Sequence, residues 1–355
     1  WRSAARGDVL AAYDIYVANH PGMHDPANPG FPDQLKRARD AGLVHADAAA
    51  DEADYKEALG AFSAVLSDGH AQLVAKQPAG GAAPLRFEWP GFVAAWRGDR
   101  LMVHHAAPDA AVRVGNIITG CDGMDARALI ERKLLTRNFR PAEAGQWWSN
   151  APHVFAPSTD LSSRRPVRCT FRSPEGAEQA LTLRWSPAPD TIGELIGSAT
   201  DGERTPIGLS EPRPGLFLVG LPDFSPDEDG IKAYRALFET LHTRAADLAK
   251  AKAIVLDMRH NNGGSCSWSY NIVKALWGDQ TVETTVDNYI KDVEIWWRAS
   301  EGNTRYVTQL APELRKMGND EVADFIDPVA AGMSKALAAR EIFFNEDQGK
   351  LGEEK

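Results

Sequence analysis

The stretch AIVLDMRHNNGGSCSWSYNIVKALWG, residues 253 to 278, limits the fold of this chain more than any other. Its first residues, Ala253 to Leu256, are an apolar run suited to a buried strand. Asp257 and Arg259 close that run with opposite charges. Asn261, Asn262, Gly263 and Gly264 then predict a turn, because asparagine tolerates left-handed backbone and glycine adopts it freely. Ile272 and Leu276 continue at helical spacing. A strand that passes through Gly-Gly into a helix leaves the first helical N–H groups without intrahelical partners, with the positive end of the helix dipole behind them. Such a place binds a phosphate, a carboxylate or a developing oxyanion. A plain tight turn uses the same residues. The spacing is neither the dinucleotide fingerprint nor a P-loop.

What precedes this stretch extends it into an α/β pattern. GLFLVGL, residues 215 to 221, reads as a strand. Ile231, Tyr234, Phe238, Leu241, Ala245 and Leu248 recur at steps of three and four, a long amphipathic helix. The order strand, helix, strand, helix predicts two parallel, adjacent strands. TVETTVDNYI, residues 281 to 290, reads as a further strand, and the remainder as helical.

The rest of the chain has a different texture. In DYKEALGAFSAVLSDGH, Tyr55, Leu59, Phe62 and Leu66 mark one helix face. An earlier helix runs around Val9 to Val17 and stops before His20-Pro21-Gly22, and HDPANPGFP is a Pro-rich connection. After the linker-like PAGGAAP come short strands: Phe92 to Trp96, Leu101 to His104, Asn116 to Thr119, Val167 to Phe171 and Leu181 to Trp185. The chain is thus expected to be α+β and multi-domain: a helical domain at 1–80, a β-rich domain at 84–190 and an α/β core at 211–355. At 355 residues, two or three domains are expected.

The formal net charge of −10, with no long block of Lys and Arg, argues against a nucleic-acid surface. No stretch reaches the roughly 18 apolar residues of a membrane span. Cys121, Cys169 and Cys266 are far apart and odd in number, so they predict neither a metal-ligand pair nor a disulfide framework. Their use leaves the redox compartment open.

Three segments together carry a family resemblance. IVLDMRHNNGG resembles the strand-turn signature of the tail-specific, or C-terminal processing, serine proteases: an apolar strand, Asp-Leu-Arg, Asn and Gly-Gly. LSDGHAQL, residues 66 to 73, resembles their Asp-Gly-His segment. VGNIITGCDG, residues 114 to 123, resembles the Gly-Asp-x-Ile-x-x-Ile-x-Gly stretch of a PDZ domain, with Asn116 in place of Asp and no recognisable carboxylate-binding loop. The resemblance implies a PDZ-like middle domain, an incomplete core like that of the ClpP and crotonase group, and a serine-type endopeptidase acting on protein or peptide substrates. It implies no cofactor and no metal, and an extracytoplasmic location, periplasmic or secreted. Gly263 and Gly264 would form the oxyanion hole, with Asp257, Arg259 and Asn261 supporting the turn. His70 would be the general base, as in the tricorn-like branch, although Gly69 stands where that branch has Ser; other members use a Ser-Lys dyad.

The nucleophile is harder to place. Ser269 lies inside the helix after Gly-Gly, Ser300 in WRASEGN is expected to follow no strand, and Ser334 opens an Ala-rich helix. The nucleophilic serine is therefore expected outside this chain, which starts at Trp1 rather than Met and ends in a polar GKLGEEK that reads as a cut. Cys266, at the first turn of a helix, is a second candidate nucleophile without an identifiable His partner. His20 and His24 are separated by Pro21 and Gly22, which argues against a shared metal. The pairs Trp147-Trp148 and Trp296-Trp297 suit either a peptide groove or domain packing. The alternative to a peptidase is a non-catalytic ligand- or peptide-binding protein on the same scaffold.

Overall fold

The computed structural model describes residues 1–75, 87–135, 139–156, 165–290 and 293–346, so the linker PAGGAAP and the tail GKLGEEK lie outside the described residues. The chain packs as two compact units. One joins residues 1–189 to 294–355, and the other is 190–293. The C-terminal segment, which the sequence groups with the α/β core, therefore packs with the first unit.

That first unit begins with three helices, α1 (Arg2–Asn19), α2 (Phe31–Ala48) and α3 (Glu52–Leu66). Val9, Leu35, Leu59, Phe62 and Leu66 bury their apolar faces together. Asp51 caps α3 by accepting from the Asp54 N–H. The sequence pattern shows α1 and α3 but not α2, because α2 starts inside the Pro-rich connection. Proline belongs there: Pro32 sits in the first turn, where its missing N–H costs no hydrogen bond.

The β-rich part follows. It contains β1 (Glu88–Trp89), β2 (Phe92–Arg97), β3 (Arg100–Ala106), β4 (Ile117–Cys121), β5 (Met124–Asp125), α4 (Ala126–Lys133), α5 (Ala144–Asn150), β6 (Arg168–Arg172), β7 (Glu178–Thr182) and β8 (Ser186–Pro187). Strands β2, β3, β4, β6 and β7 lie side by side in that order, all antiparallel, with β5 paired to β4. Gly98 and Asp99, at φ +51° and +60°, make the two-residue turn between β2 and β3. The last strand lies three residues earlier than the Leu181–Trp185 pattern predicts. Trp185 leaves the ladder and donates its indole N–H to the Pro166 carbonyl.

Cys121 and Cys169 form a disulfide, which corrects the expectation of none. They are 48 residues apart in sequence but directly opposed on β4 and β6, with Cα atoms 4.0 Å apart. Spacing along the chain does not report cross-strand register. Both are buried in the core with Phe92, Ile118 and Phe171.

The second unit holds α6 (Ile192–Thr200), β9 (Gly208–Arg213), β10 (Leu216–Gly220), α7 (Glu228–Thr243), α8 (Ala245–Leu248), β11 (Ala253–Asp257), α9 (Cys266–Trp277) and α10 (Asp279–Ile290). β10 and β11 are parallel and adjacent, in register from Leu216 opposite Ala253 to Gly220 opposite Asp257. β9 pairs antiparallel with the other edge of β10. Phe217, Val219, Tyr234, Leu237, Leu241 and Ile272 form its core. TVETTVDNYI is helical, not a strand: it lies in α10, where Val282 is buried. Its β-branched residues are overridden by packing on α9.

The C-terminal part of the first unit comprises β12 (Trp296–Arg298), α11 (Glu301–Lys316), α12 (Asp320–Ala338) and β13 (Phe343–Asn345), with β12 and β13 antiparallel. Asn303 donates its side-chain amide to the Asn19 carbonyl, which ties α11 to the end of α1.

The disulfide generates a test. In the chain-entropy account a closed loop of this length stabilises the fold by about 4 kcal/mol. Replacing both Cys121 and Cys169 by Ser should lower the unfolding free energy of the first unit by an amount of that order. Wild-type protein under reductant should match the double variant. Identical melting of the oxidised, reduced and substituted proteins would exclude the bridge.

Candidate functional site

The Gly-Gly turn is built at the end of β11. Asp257 is buried there, and its carboxylate accepts four hydrogen bonds. Oδ1 takes the Arg259 backbone N–H at 3.1 Å and Nε at 2.9 Å; Oδ2 takes Arg259 Nη2 at 2.7 Å and the Thr205 hydroxyl. The Arg259 hydrogen bonds, assisted by that of Thr205 and opposed by burial, hold the Asp257 carboxyl far below the usual carboxylate range. The Arg259 side chain is 53% exposed, so the pair is a bracket for the turn rather than a buried ion pair.

Next, the backbone reverses. His260 takes φ +66°, and its ring lies with Nε2 2.8 Å from the Gly202 carbonyl oxygen. Asn261 works in both directions: its amide donates to the Leu221 carbonyl at 2.7 Å, and its Oδ1 accepts from the Gly263 N–H at 2.9 Å. The Leu221 N–H donates to the Asp257 carbonyl, which carries the parallel pairing one step past β10. Ser265 donates its N–H to the Phe224 carbonyl, and Phe224 bridges Gly264. The turn after β11 is thus laced to the loop after β10. Tyr234, fully buried on α7, holds that loop by donating its hydroxyl to the Asp223 carbonyl at 2.6 Å.

The two glycines differ. Gly264, at φ +132°, has no room for a side chain: a Cβ there would sit 2.1 Å from the Phe224 carbonyl oxygen. Gly263, at φ +95°, faces open space. Their N–H groups differ in the opposite sense. That of Gly263 is taken by Asn261, whereas that of Gly264 has no hydrogen-bond partner among the described residues. Beyond Gly264, Ser265 caps α9 by accepting from the Ser267 N–H, and Cys266 is an exposed free thiol at the first helical position.

The structure therefore brings Asp257, Arg259, Asn261, Gly263 and Gly264 together in one turn. Thr205, Leu221 and Phe224 belong to the same assembly, and nothing in their local sequence marks them. His70 belongs to the first unit. Its backbone N–H donates to Asp68 Oδ1 at 2.8 Å, and its exposed ring makes no hydrogen bond among the described residues.

Ser300 differs from expectation. It follows a strand, β12, and caps α11 by accepting from the Asn303 N–H at 3.1 Å. The short strand escapes the sequence pattern because its two tryptophans are followed directly by Arg298. The Ser300 hydroxyl also donates to Asn19 Oδ1 at 2.7 Å, and the residue is buried. Ser334 lies inside α12 and donates to the Ala330 carbonyl. Among the described residues, no group of three or more His, Cys, Asp or Glu is arranged to hold a metal ion, and no helix is long and apolar enough to cross a membrane.

No protein-family model matches the sequence, and no curated protein matches it. Solved structures do match in fold. Mature CPAF is 14% identical with a TM-score of 0.54, over 96% of this chain and 73% of that one. Mature CPAF complexed with lactacystin gives the same identity and score, over 96% and 74%. CPAF is a chlamydial serine protease of the tail-specific family. The likeness shows a multi-domain α+β fold related to that protease.

Asp257 makes the turn sensitive to acid. Its folded pKa is depressed, so its contribution to stability is complete above the unfolded value of about 3.9 and is lost as the pH falls through that value toward the folded one. Denaturant unfolding followed from pH 6 to pH 3 should show the wild type losing its advantage over Asp257→Asn, which is about 1–3 kcal/mol at pH 6. A gap between the two proteins that stays constant over that range would mean that the carboxylate charge does not hold the turn.

Proposed function

We propose that this chain is part of a serine-type endopeptidase of the tail-specific kind, with protein or peptide substrates. The observation that carries the reading is the positive-φ Gly263-Gly264 turn at the end of a parallel strand, opening a helix, in a chain with a protease-like fold. In acyl transfer a serine Oγ attacks the scissile carbonyl while a base removes its proton. The carbonyl oxygen gains negative charge, and preorganised N–H groups stabilise it. The Gly264 N–H is the donor suited to that role, because it is not committed elsewhere. The Gly263 N–H enters only when the Asn261 carbonyl releases it. Asp257, Arg259 and Asn261 are positioning residues for the turn. His70 is the candidate base, exposed and with its ring nitrogens unengaged among the described residues. The nucleophile is assigned outside residues 1–355, because the hydroxyls of Ser300 and Ser334 donate to Asn19 Oδ1 and the Ala330 carbonyl rather than to a base.

The CPAF complex with lactacystin, a protease bound to an inhibitor, supports a site that accepts peptide-like ligands. The β-rich part, with β4 and its Asp122-Gly123 turn, is proposed as a PDZ-like substrate module. The Cys121–Cys169 disulfide supports an extracytoplasmic location, since such bridges persist in oxidising compartments.

A fluorophosphonate probe with peptide mapping tests the reading. The chain as given should not be labelled. A form extended beyond Lys355 through one more strand-helix unit should be labelled at a serine in the added segment and should cleave peptides. In that form His70→Ala should lower kcat at least about 100-fold without loss of fold. Labelling at Ser300 or Ser334 with peptide cleavage would move the nucleophile into this chain. An extended form that binds peptides but takes no label would make the protein a binding member of the scaffold.

A further inference from the structure

A cavity of about 830 Å³ lies within the first unit, between the end of α1, the start of α2, the end of α3 and the β12–β13 pair. Its size is that of a small-molecule site. Phe31, Trp296 and Phe343 line it with aromatic rings. Phe343 stands perpendicular to Trp296 at 6.2 Å between centroids. Trp296 is half exposed, and its indole N–H donates to Glu294. Phe31 is buried and stacks flat on His20, 4.2 Å away and 10° from parallel. A Cβ on Gly22 would come 2.7 Å from the Phe31 ring, so the glycine is what lets that ring lie against the backbone there.

The carboxylates of the lining already have partners. Asp68 Oδ1 accepts from the His70 and Ala71 N–H groups, and Oδ2 lies 3.6 Å from His20 Nε2. Arg140, whose pKa is raised chiefly by its hydrogen bond to Glu143, also interacts with Asp68. Asp25 Oδ1 accepts from the Ala27 N–H. Burial lowers the pKa of His20 against the pull of Asp68, and burial with Arg298 lowers that of His24. Both rings are neutral at neutral pH. The fixed acceptor left for a ligand is uncharged. Gln34 Nε2 donates to the Leu66 carbonyl at 2.7 Å, which pins the side-chain amide, and Gln34 Oε1 accepts no hydrogen bond among the described residues. The Asn28 side-chain amide and the Ser67 hydroxyl, also in the lining, have no partner among the described residues either.

We propose that this cavity binds a small uncharged aromatic molecule carrying an N–H or O–H donor, with its ring against Phe31, Trp296 and Phe343 and its donor at Gln34 Oε1. Aromatic rings stabilise one another through offset and edge-to-face contacts beyond the area they bury. An acceptor held in place within a cavity favours a ligand that can donate to it and disfavours one that cannot, because the acceptor loses water on binding. A formal charge on the ligand would lose hydration among groups that already have partners. The inference does not depend on peptidase activity.

Calorimetric titration of the whole chain at pH 7.5 tests it with four matched probes: phenylacetamide, its N,N-dimethyl derivative, phenylacetate and phenethylammonium. Phenylacetamide should bind. The dimethyl amide, which keeps the ring and loses both N–H donors, should bind at least about tenfold more weakly. The two ions should also be at least about tenfold weaker. Trp296→Ala changes a half-exposed side chain and should weaken phenylacetamide about tenfold. Gln34→Leu should bring the two amides to equal affinity. If that variant does not fold, the dimethyl amide and Trp296→Ala still decide the matter. Absence of phenylacetamide binding overturns the proposal. So does equal binding of the two amides by the wild type, or binding of either ion as tight as that of phenylacetamide. Phenylacetamide binding that Trp296→Ala leaves unchanged, or a preference between the amides that folded Gln34→Leu retains, overturns it as well.

Discussion

The Asp257 carboxylate stands at the end of a parallel strand pair and accepts from the backbone and guanidinium of Arg259 and the hydroxyl of Thr205. The chain direction after β11 depends on these bonds. Arg259 is drawn back onto the residue two positions before it, so the backbone must reverse at His260, which takes the left-handed conformation. Asn261 then reaches Leu221, the residue that follows β10. Strand pairing would otherwise end at Gly220. The loop 221–225 and the turn 260–265 instead become one hydrogen-bonded assembly, with Tyr234 beneath it.

This assembly explains the glycines differently from ligand access. Gly264 is required because the Phe224 carbonyl occupies the space of a side chain. The backbone crossing therefore demands glycine whether or not anything binds. Gly263 is the position with open space, yet its N–H is satisfied by Asn261. Steric openness and donor availability fall on different residues, so the double glycine cannot be read as two equivalent donors.

Periodicity made much of the fold legible. Tyr55, Leu59, Phe62 and Leu66 marked α3, and the strand-helix-strand-helix order gave the parallel pair of β10 and β11. Features that depend on partners distant in sequence were not legible. Cys121 meets Cys169 only through the register of β4 and β6. Thr205 reaches Asp257 across 52 residues with no motif of its own. α2 was hidden by Pro32, which belongs in its first turn, and α10 by β-branched residues that favour strands in isolation. The residues of the turn were legible because they are contiguous. The division of work between Gly263 and Gly264 was not, because Phe224 decides it.

Asp68 divides its two oxygens between the segment that follows it and His20, at the end of α1. Its Oδ1 accepts from the N–H groups of His70 and Ala71 and so fixes the backbone that presents the His70 ring. Its Oδ2 faces His20 at the wall of the aromatic cavity. The carboxylate is planar and rigid, so a shift at one oxygen is felt at the other. Arg140, held above its ordinary range chiefly by its hydrogen bond to Glu143, also interacts with Asp68, so the carboxylate has a cation of the protein in its surroundings. The placement of His20 and the presentation of the His70 ring therefore meet in a single side chain.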